Sequence, residues 1–114
     1  KEMMKYFSER IQKARSLGIN DLLIDPGFGF AKTAEQNFEI LQKLELFALH
    51  ELPILVGLSR KSMIYKTLKI SPEESLSGTI ALNMMALQKG AKILRVHDVK
   101  PAVQTVALFA QMEI

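Results

Sequence analysis

The chain has 114 residues, of which 48% are hydrophobic and 24% charged, and its formal net charge is +3 at pH 7. This length suits one small domain with one hydrophobic core, and the composition is that of an ordinary globular protein. The basic residues form no run, no apolar segment approaches the roughly 20 residues that span a membrane, and there is no cysteine. We therefore expect no nucleic-acid partner, no membrane segment, no disulfide or thiolate metal site, and a cytoplasmic location.

The first predicted element is an amphipathic helix. Met4, Phe7, Ile11 and Ala14 recur at helical spacing, and Gly18 is a natural residue for the turn that follows a helix. The sequence begins inside this helix and without methionine, so we expect it to be part of a longer protein.

Three short apolar segments, near residues 21–25, 53–57 and 92–96, are predicted to be strands. Each is apolar throughout and too short for a helix, which is typical of strands buried on both faces in parallel sheets. A predicted helix follows each of them. The whole pattern is therefore one helix followed by three strand–helix units.

The three later helices have start signals and apolar stripes. The first begins at Thr33, which forms a capping-box pattern with Gln36, the second begins at the Ser71-Pro72 pair, and the third opens at Pro101. The side chains predicted to be buried are Phe38, Leu41, Leu44 and Ala48 in the first helix, Leu76, Ile80, Met84 and Leu87 in the second, and Val103, Val106, Ala107 and Ala110 in the third.

A polar or glycine-rich tip follows each predicted strand. The tips are residues 25–33 (Asp-Pro-Gly-Phe-Gly-Phe-Ala-Lys-Thr), 57–62 (Gly-Leu-Ser-Arg-Lys-Ser) and 95–99 (Arg-Val-His-Asp-Val). Strands joined by helices must be parallel, so all three tips are expected at the carboxyl edge of one sheet. Ligands bind at this edge both in barrels and in doubly wound sheets, and the pattern leaves these two folds open.

The side chains of the tips indicate an anion site beside a polar ligand site. Arg95 and His97 are two residues apart and would project to the same side of a strand end, where a guanidinium and an imidazole suit phosphate. Asp25 could accept paired hydrogen bonds from an amino group and a ring N–H, or it could cap its own turn. For Lys61 the alternative is a solvated lysine at a helix start. For Arg95 and His97 it is an ion pair of Arg95 with Asp98 and a histidine packed at the strand end.

Together, in this order and with this spacing, the three tips resemble the carboxyl-terminal part of the dihydropteroate synthase family of pterin-binding enzymes. The resemblance runs over residues 1–114, with Ala31 standing where the family usually has glycine. It implies an α/β fold made of the last three βα units of a TIM (β/α)8 barrel, truncated in this chain, as one partial domain. The amino-terminal half of the barrel would be missing.

The resemblance also implies an activity. The family joins 4-aminobenzoate to 6-hydroxymethyl-7,8-dihydropterin diphosphate and releases 7,8-dihydropteroate and diphosphate, a step of folate biosynthesis inhibited by sulfonamides. Magnesium (Mg2+) accompanies the diphosphate, and its ligands are expected in the missing amino-terminal part, so no metal ligand is assigned here. We expect this chain to be inactive alone and to self-associate, most simply as a homodimer.

Roles for the tip residues follow from the same resemblance. Asp25 would bind the aminopyrimidine edge of the pterin, and Lys61 would donate to the pterin carbonyl and a ring nitrogen. Arg95 and His97 would line the diphosphate site. Lys61, Arg95 and His97 are thus the predicted catalytic residues.

The remaining predicted substrate-binding residues belong to the aminobenzoate pocket. By the resemblance, Ser59 reaches the carboxylate of aminobenzoate, Arg60 stacks along the pocket, and Gly29 and Phe30 lie near the ring. The plain alternatives are a helix cap for Ser59 and core packing for Phe30.

Three other interpretations compete with the synthase. Another pterin-barrel enzyme, such as a methyltetrahydrofolate-dependent methyltransferase, would share Asp25 but has no need of residues 59–61 or of the Arg95–His97 pair. A non-catalytic pterin-binding or assembly module would keep only the scaffold. A doubly wound phosphate-binding domain is disfavoured because the sequence has no phosphate-cradling GxGxxG or Walker loop.

Overall fold

The structure, a computed structural model, describes residues 2–29 and 32–112 as helices arranged around a small parallel sheet. Two 3-10 helices, Leu44–His50 and Pro72–Glu74, interrupt the α-helices. In chain order the α-helices and strands are α1 (Glu2–Ser16), α2 (Ala34–Gln42), β1 (Ile54–Val56), α3 (Ser62–Leu68), α4 (Leu76–Gln88), β2 (Ala91–Leu94) and α5 (Val99–Met112).

The sheet pairs β1 with β2 in parallel, and the first apolar segment adds one bridge to the other side of β1. The N–H of Ile24 donates to the carbonyl oxygen of Pro53 over 2.8 Å, and the N–H of Leu55 donates to that of Ile24 over 2.7 Å. The strand predicted near residues 21–25 is therefore reduced to Ile24. Strand β1 begins at Ile54, directly opposite Ile24, so the residues before Ile24 have no strand beside them to pair with. Leu23 is accordingly half exposed.

Helix α2 begins as its sequence predicts and ends differently. The side chain of Thr33 accepts from the N–H of Gln36, and the side chain of Gln36 accepts from the N–H of Thr33, which completes the capping box. After residue 43 the chain continues as a 3-10 helix, which has three residues per turn rather than 3.6. This change rotates the buried face, so that Phe47 is buried and Ala48, predicted to be buried, is exposed.

Helix α4 also presents a different face to the core. The Ser71 capping box starts the 3-10 helix at Pro72–Glu74, and the α-helix begins only at Leu76. Of the predicted stripe, only Leu87 is fully buried, while Leu76, Ile80 and Met84 are half-buried. The fully buried residues are Thr79, Asn83, Ala86 and Leu87.

Helix α5 packs against α4 through small side chains rather than through its predicted stripe. Ala102 and Thr105 are its buried residues. Val103 and Val106 are 61% and 44% exposed, and Ala107 and Ala110 are exposed as well. The prediction is wrong in this chain because Val103 and Val106 line an open apolar cleft beside β2, together with Leu94 and Val96, and no described element covers that cleft.

Among the helices of residues 2–29 and 32–112, none combines the length and the hydrophobicity that a membrane span requires.

The core lies between the sheet and the helices that cover it. The buried residues that form the core cluster are Ile24, Phe28, Leu41, Leu44, Phe47, Ile54, Val56, Leu58, Met63, Ile64, Ala86 and Ala91.

Candidate functional site

The three polar tips meet at one edge of the sheet. Asp25 follows the bridge at Ile24, Gly57 follows β1, and Arg95 follows β2. The N–H of Arg95 donates to the carbonyl oxygen of Val56 over 2.9 Å, which extends the pairing of β2 with β1 to its end. Because the three segments are parallel, their carboxyl ends share this edge, hereafter the rim.

Asp25 contacts two of the three segments through its two carboxylate oxygens. Oδ1 accepts a hydrogen bond of 2.9 Å from the N–H of Gly27, and Oδ2 lies 3.4 Å from Nη1 of Arg95. The side chains of Asp25 and Arg95 are 31% and 54% exposed. Each carboxylate oxygen can accept two hydrogen bonds, so Asp25 caps its turn and retains acceptor capacity for a ligand.

Gly57 provides the surface on which the Arg95 guanidinium rests. A Cβ at position 57 would lie 2.8 Å from Nη2 of Arg95, closer than real Cβ atoms approach other atoms, and 3.1 Å from its Nε, so the guanidinium would have to move. Glycine therefore allows the guanidinium to cross the end of β1 toward Asp25. This role was not predicted, although the glycine belongs to the second tip.

Lys61 connects the second tip to the first. Its Nζ donates to the carbonyl oxygen of Phe28 over 2.6 Å, and its side chain packs against Gly29. Burial lowers the pKa of Lys61, the positive charges of Arg95 and Lys32 add to this shift, and the carboxylate of Asp25 opposes it. The ammonium thus belongs to the same electrostatic cluster as Asp25 and Arg95.

Two side chains that follow the glycine-rich turn of the first tip hold it in place, one from the end of the tip and one from α2. Gly27 and Gly29 have φ angles of +73° and +87°, which favour glycine. Nζ of Lys32 donates to the carbonyl oxygen of Gly27, and Oδ1 of the buried Asn37 accepts from the N–H of Gly29, each over 3.0 Å. The role of Asn37 was not predicted from the sequence. The feature that could have indicated it is a polar residue next to the predicted buried residues of α2. Phe30 lies outside the described residues.

Arg60 is bound by the protein on several sides. Its Nε and Nη2 donate to the two carboxylate oxygens of Asp98 over 2.9 and 3.1 Å, and Nη1 donates to the carbonyl oxygens of Pro72 and Glu73. Its own N–H donates to Oγ1 of Thr79 at a left-handed φ of +51°. The hydrogen bond between the two side chains raises the pKa of Arg60 and lowers the pKa of Asp98. The guanidinium therefore connects the second tip with the third tip and with the 3-10 helix Pro72–Glu74, a set of contacts hereafter called the Arg60 brace.

Ser59 and His97 connect the second and third tips. Oγ of the buried Ser59 accepts a hydrogen bond of 3.1 Å from the backbone N–H of His97. The N-cap of α3 is Lys61, so Ser59 does not cap that helix. The His97 side chain is exposed at the rim.

A shallow cleft opens beside these groups, between the first and second tips. Its volume is about 300 Å3. Backbone and aromatic surface line it together with cationic side chains, which suits a flat, anionic molecule. The lining residues are Phe28, Gly29, Arg60, Lys61, Ser62 and Tyr65.

The described residues do not by themselves form a metal site. Within residues 2–29 and 32–112, no three His, Cys, Asp or Glu side chains are grouped so that they could hold an ion. Magnesium needs oxygen ligands, usually carboxylates together with substrate phosphates.

Comparisons with known proteins agree with this geometry. The family model of the pterin binding enzymes matches residues 1–97. Dihydropteroate synthase of Escherichia coli K12 is 47% identical over 105 residues, which cover 90% of this chain and 37% of that protein. The bifunctional dihydropteroate synthase/dihydropteroate reductase of Helicobacter pylori is 37% identical over 112 residues, which cover 98% of this chain and 30% of that protein. The chain thus spans about a third of the length of these relatives.

Solved structures show the same relationship. The dihydropteroate synthase of Yersinia pestis superposes with a TM-score of 0.93 at 37% identity, over 97% of this chain and 53% of that one. The Coxiella burnetii enzyme, solved with pteroic acid, gives a TM-score of 0.92 at 39% identity, over 97% of this chain and 42% of that one. These neighbours confirm the predicted fold class, part of a TIM barrel, and the resemblance to dihydropteroate synthases. The chain belongs to the pterin binding enzyme family.

Proposed function

We propose that this chain supplies the pterin and diphosphate contacts of a dihydropteroate synthase. One observation carries the proposal: Asp25, Lys61 and Arg95, from three parallel segments, form one cluster at the rim. Relatives named dihydropteroate synthase, at 37 to 47% identity, support it. So does the Yersinia pestis enzyme, which has been solved with a pterine-sulfa conjugate and with a sulfonamide drug.

The proposed pterin site uses groups of opposite character. Asp25 accepts from the amino group and the neighbouring ring N–H of the pterin, a paired interaction that suits a carboxylate. The Lys61 ammonium donates to the pterin carbonyl and a ring nitrogen. Its contact with the carbonyl oxygen of Phe28 already fixes Nζ close to the first tip.

The proposed aminobenzoate site is the cleft of about 300 Å3 beside the cluster. Ser59 is buried behind the lining of this cleft, where its hydroxyl accepts from the N–H of His97, and its own proton is proposed to reach the substrate carboxylate at the end of the cleft. Asp98 binds the guanidinium of Arg60 and so fixes its position. The proposed role of Arg60 is therefore to pack along one side of the substrate rather than to bind its carboxylate. Gly29 and Phe30 complete the proposed contacts with the ring.

The proposed reaction is a substitution at the methylene carbon of the pterin. The bond from this carbon to the diphosphate oxygen breaks, and the electron pair leaves with the diphosphate. Arg95 and His97 stabilise the growing negative charge, which is usually the largest contribution to catalysis. The aniline nitrogen of 4-aminobenzoate then attacks the electron-poor methylene and loses a proton. No protein nucleophile is required.

A turnover assay on the complete protein that carries this chain tests the proposal. We expect diphosphate release that depends on both 4-aminobenzoate and pterin diphosphate, with inhibition by a sulfonamide. The isolated 114-residue chain should give no turnover, because it spans 37% of the E. coli relative. Absence of product with the complete protein would contradict the proposal, and activity of the isolated chain would contradict the expectation that it is inactive alone.

Three further properties stay predictions. Magnesium would bind with the diphosphate through residues other than those described, and equilibrium dialysis of the complete protein with and without diphosphate would detect it. The homodimer would appear in sedimentation analysis of the complete protein. The cytoplasmic location would appear in cell fractionation.

A further inference from the structure

The position of the Arg95 guanidinium has a consequence for ligand selection. It crosses the end of β1 against Gly57, and its Nη1 reaches to 3.4 Å from Oδ2 of Asp25. Arg95 is the proposed donor to the diphosphate, and Asp25 is the proposed acceptor for the pterin ring. The two residues that would hold opposite ends of one substrate are therefore in contact with each other.

The same chemistry underlies both partners of Asp25. A guanidinium presents a planar array of N–H donors to a carboxylate, and the aminopyrimidine edge of a pterin presents an amino group beside a ring N–H. A ring seated between Asp25 and Lys61 would also meet the guanidinium at Gly57. A ring that donates to both carboxylate oxygens competes with Nη1 of Arg95 for Oδ2 of Asp25. When Arg95 gives way to the ring, this donor also becomes available to an anion.

We infer that Arg95 exchanges Asp25 for diphosphate, so that a pterin ring and a diphosphate bind with positive cooperativity. This inference rests on the proposed function and adds a selection rule to it. A pterin that carries diphosphate displaces Arg95 from the carboxylate and supplies its new partner at the same time. An unphosphorylated pterin displaces Arg95 without supplying one, and it therefore binds less tightly than its ring contacts alone would allow.

The other charged groups at the rim define what can take part in this exchange. Asp98 is bound through both carboxylate oxygens by Arg60, so it does not compete for Arg95. Lys61 lies close enough to Arg95 and Asp25 to sense both charges. Because Lys61 stays with the ring in the proposed site, its charge is present before and after the exchange.

The size of the effect follows from the exposure of the pair. Arg95 and Asp25 are 54% and 31% exposed, and exposed ion pairs change a binding constant by about two- to fivefold. Thermodynamic linkage requires the same factor in both directions, from pterin to diphosphate and from diphosphate to pterin.

Calorimetry on the complete protein tests the inference with two separate probes, 6-hydroxymethylpterin and inorganic diphosphate. Each is titrated alone and in the presence of a saturating amount of the other, with magnesium in every arm. We expect each probe to bind about two- to fivefold more tightly when the other is present. Because the pterin is neutral, simple charge compensation cannot produce this gain.

The variant Asp25→Asn isolates the exchange. Asparagine keeps a carbonyl oxygen for the N–H of Gly27, so the turn is preserved, but it removes the anionic partner of Arg95. Diphosphate alone should bind about two- to fivefold more tightly to this variant. Because Asp25 is also the proposed acceptor for the pterin, only the diphosphate titration is interpreted for this variant. Asp21→Asn makes the same charge change at an exposed position on the same segment and should behave as the wild type.

The outcomes separate this inference from the function on which it rests. If both probes bind independently, or if one excludes the other, the inference is overturned while the proposed function stands. If Asp21→Asn reproduces the effect of Asp25→Asn, general electrostatics replaces the exchange and the inference is overturned as well. If the complete protein binds neither probe, both the inference and the proposed function are wrong.

Discussion

Arg60 and Arg95 follow neighbouring strands at the same edge of the sheet, but their surroundings differ. The side chain of Arg60 is 23% exposed and donates to both carboxylate oxygens of Asp98 and to two backbone carbonyls. The side chain of Arg95 is 54% exposed and lies 3.4 Å from Asp25. One guanidinium is built into the scaffold, and the other retains donors for a ligand.

The difference shows that residue type and position at a strand end do not decide whether a side chain stabilises the fold or is available to a ligand. Both arginines belong to tips that resemble the family, and both were predicted to bind substrate. Arg60 differs because Asp98 and the 3-10 helix Pro72–Glu74 surround it, and these come from distant parts of the sequence. We therefore expect substitutions at the two arginines to affect different measured quantities.

The largest expected effect is on catalysis by Arg95→Ala. Loss of a donor that stabilises developing charge should slow turnover of the complete protein by on the order of 100-fold or more. The free energy of unfolding should change by no more than about 1 kcal/mol, as for the loss of an exposed ion pair. Steady-state kinetics and thermal denaturation measure the two quantities, and unchanged kinetics would remove Arg95 from its proposed role.

The main effect expected for Arg60→Ala is on the stability of the fold. This change leaves Asp98 without its paired donor and removes the brace to the 3-10 helix, so the melting temperature should fall clearly. Arg15→Ala, at an exposed position on α1, is the matched control and should have a much smaller effect on melting. Equal melting temperatures for the two variants would show that the Arg60 brace contributes little.

The smallest expected effect is the pH dependence of the same ion pair. Arg60 lowers the pKa of Asp98 in the folded protein, so the unfolded chain binds this proton more readily. The stabilisation by the pair is therefore complete above the ordinary carboxyl pKa of about 3.9, and it is lost as the pH falls through the lowered folded pKa.

Thermal denaturation of the wild type and Asp98→Asn across this range tests the sign. The difference in melting temperature should be largest near neutral pH and should shrink below about pH 4. A difference that stays constant into acid would show that Asp98 contributes through something other than its charge.

Local signals in the sequence predicted the fold where a few neighbouring residues decide the structure. The capping box of Thr33 and Gln36 forms as predicted, because both partners lie within one turn. The placement of the three tips at one edge follows equally directly, since parallel strands joined by helices have no other arrangement.

The predictions that were wrong depend on packing between distant elements. Ala102 of α5 is buried, while Val103 lines an apolar cleft beside β2 that no described element covers. The polar contacts of the site depend in the same way on three-dimensional proximity. Asn37 holds Gly29 and Asp98 holds Arg60 across sequence separations of 8 and 38 residues, and no spacing rule predicts either contact.

The central claim is that the carboxylate of Asp25, at the rim shared by three parallel segments, binds the pterin ring. Calorimetric titration of the complete protein with 6-hydroxymethylpterin, in the wild type and in Asp25→Asn, tests it most directly. The claim predicts binding by the wild type and a loss of roughly tenfold or more in the variant, because hydrogen bonds to a charged group are worth about 1.5–3 kcal/mol. Equal affinity in the two proteins would contradict it.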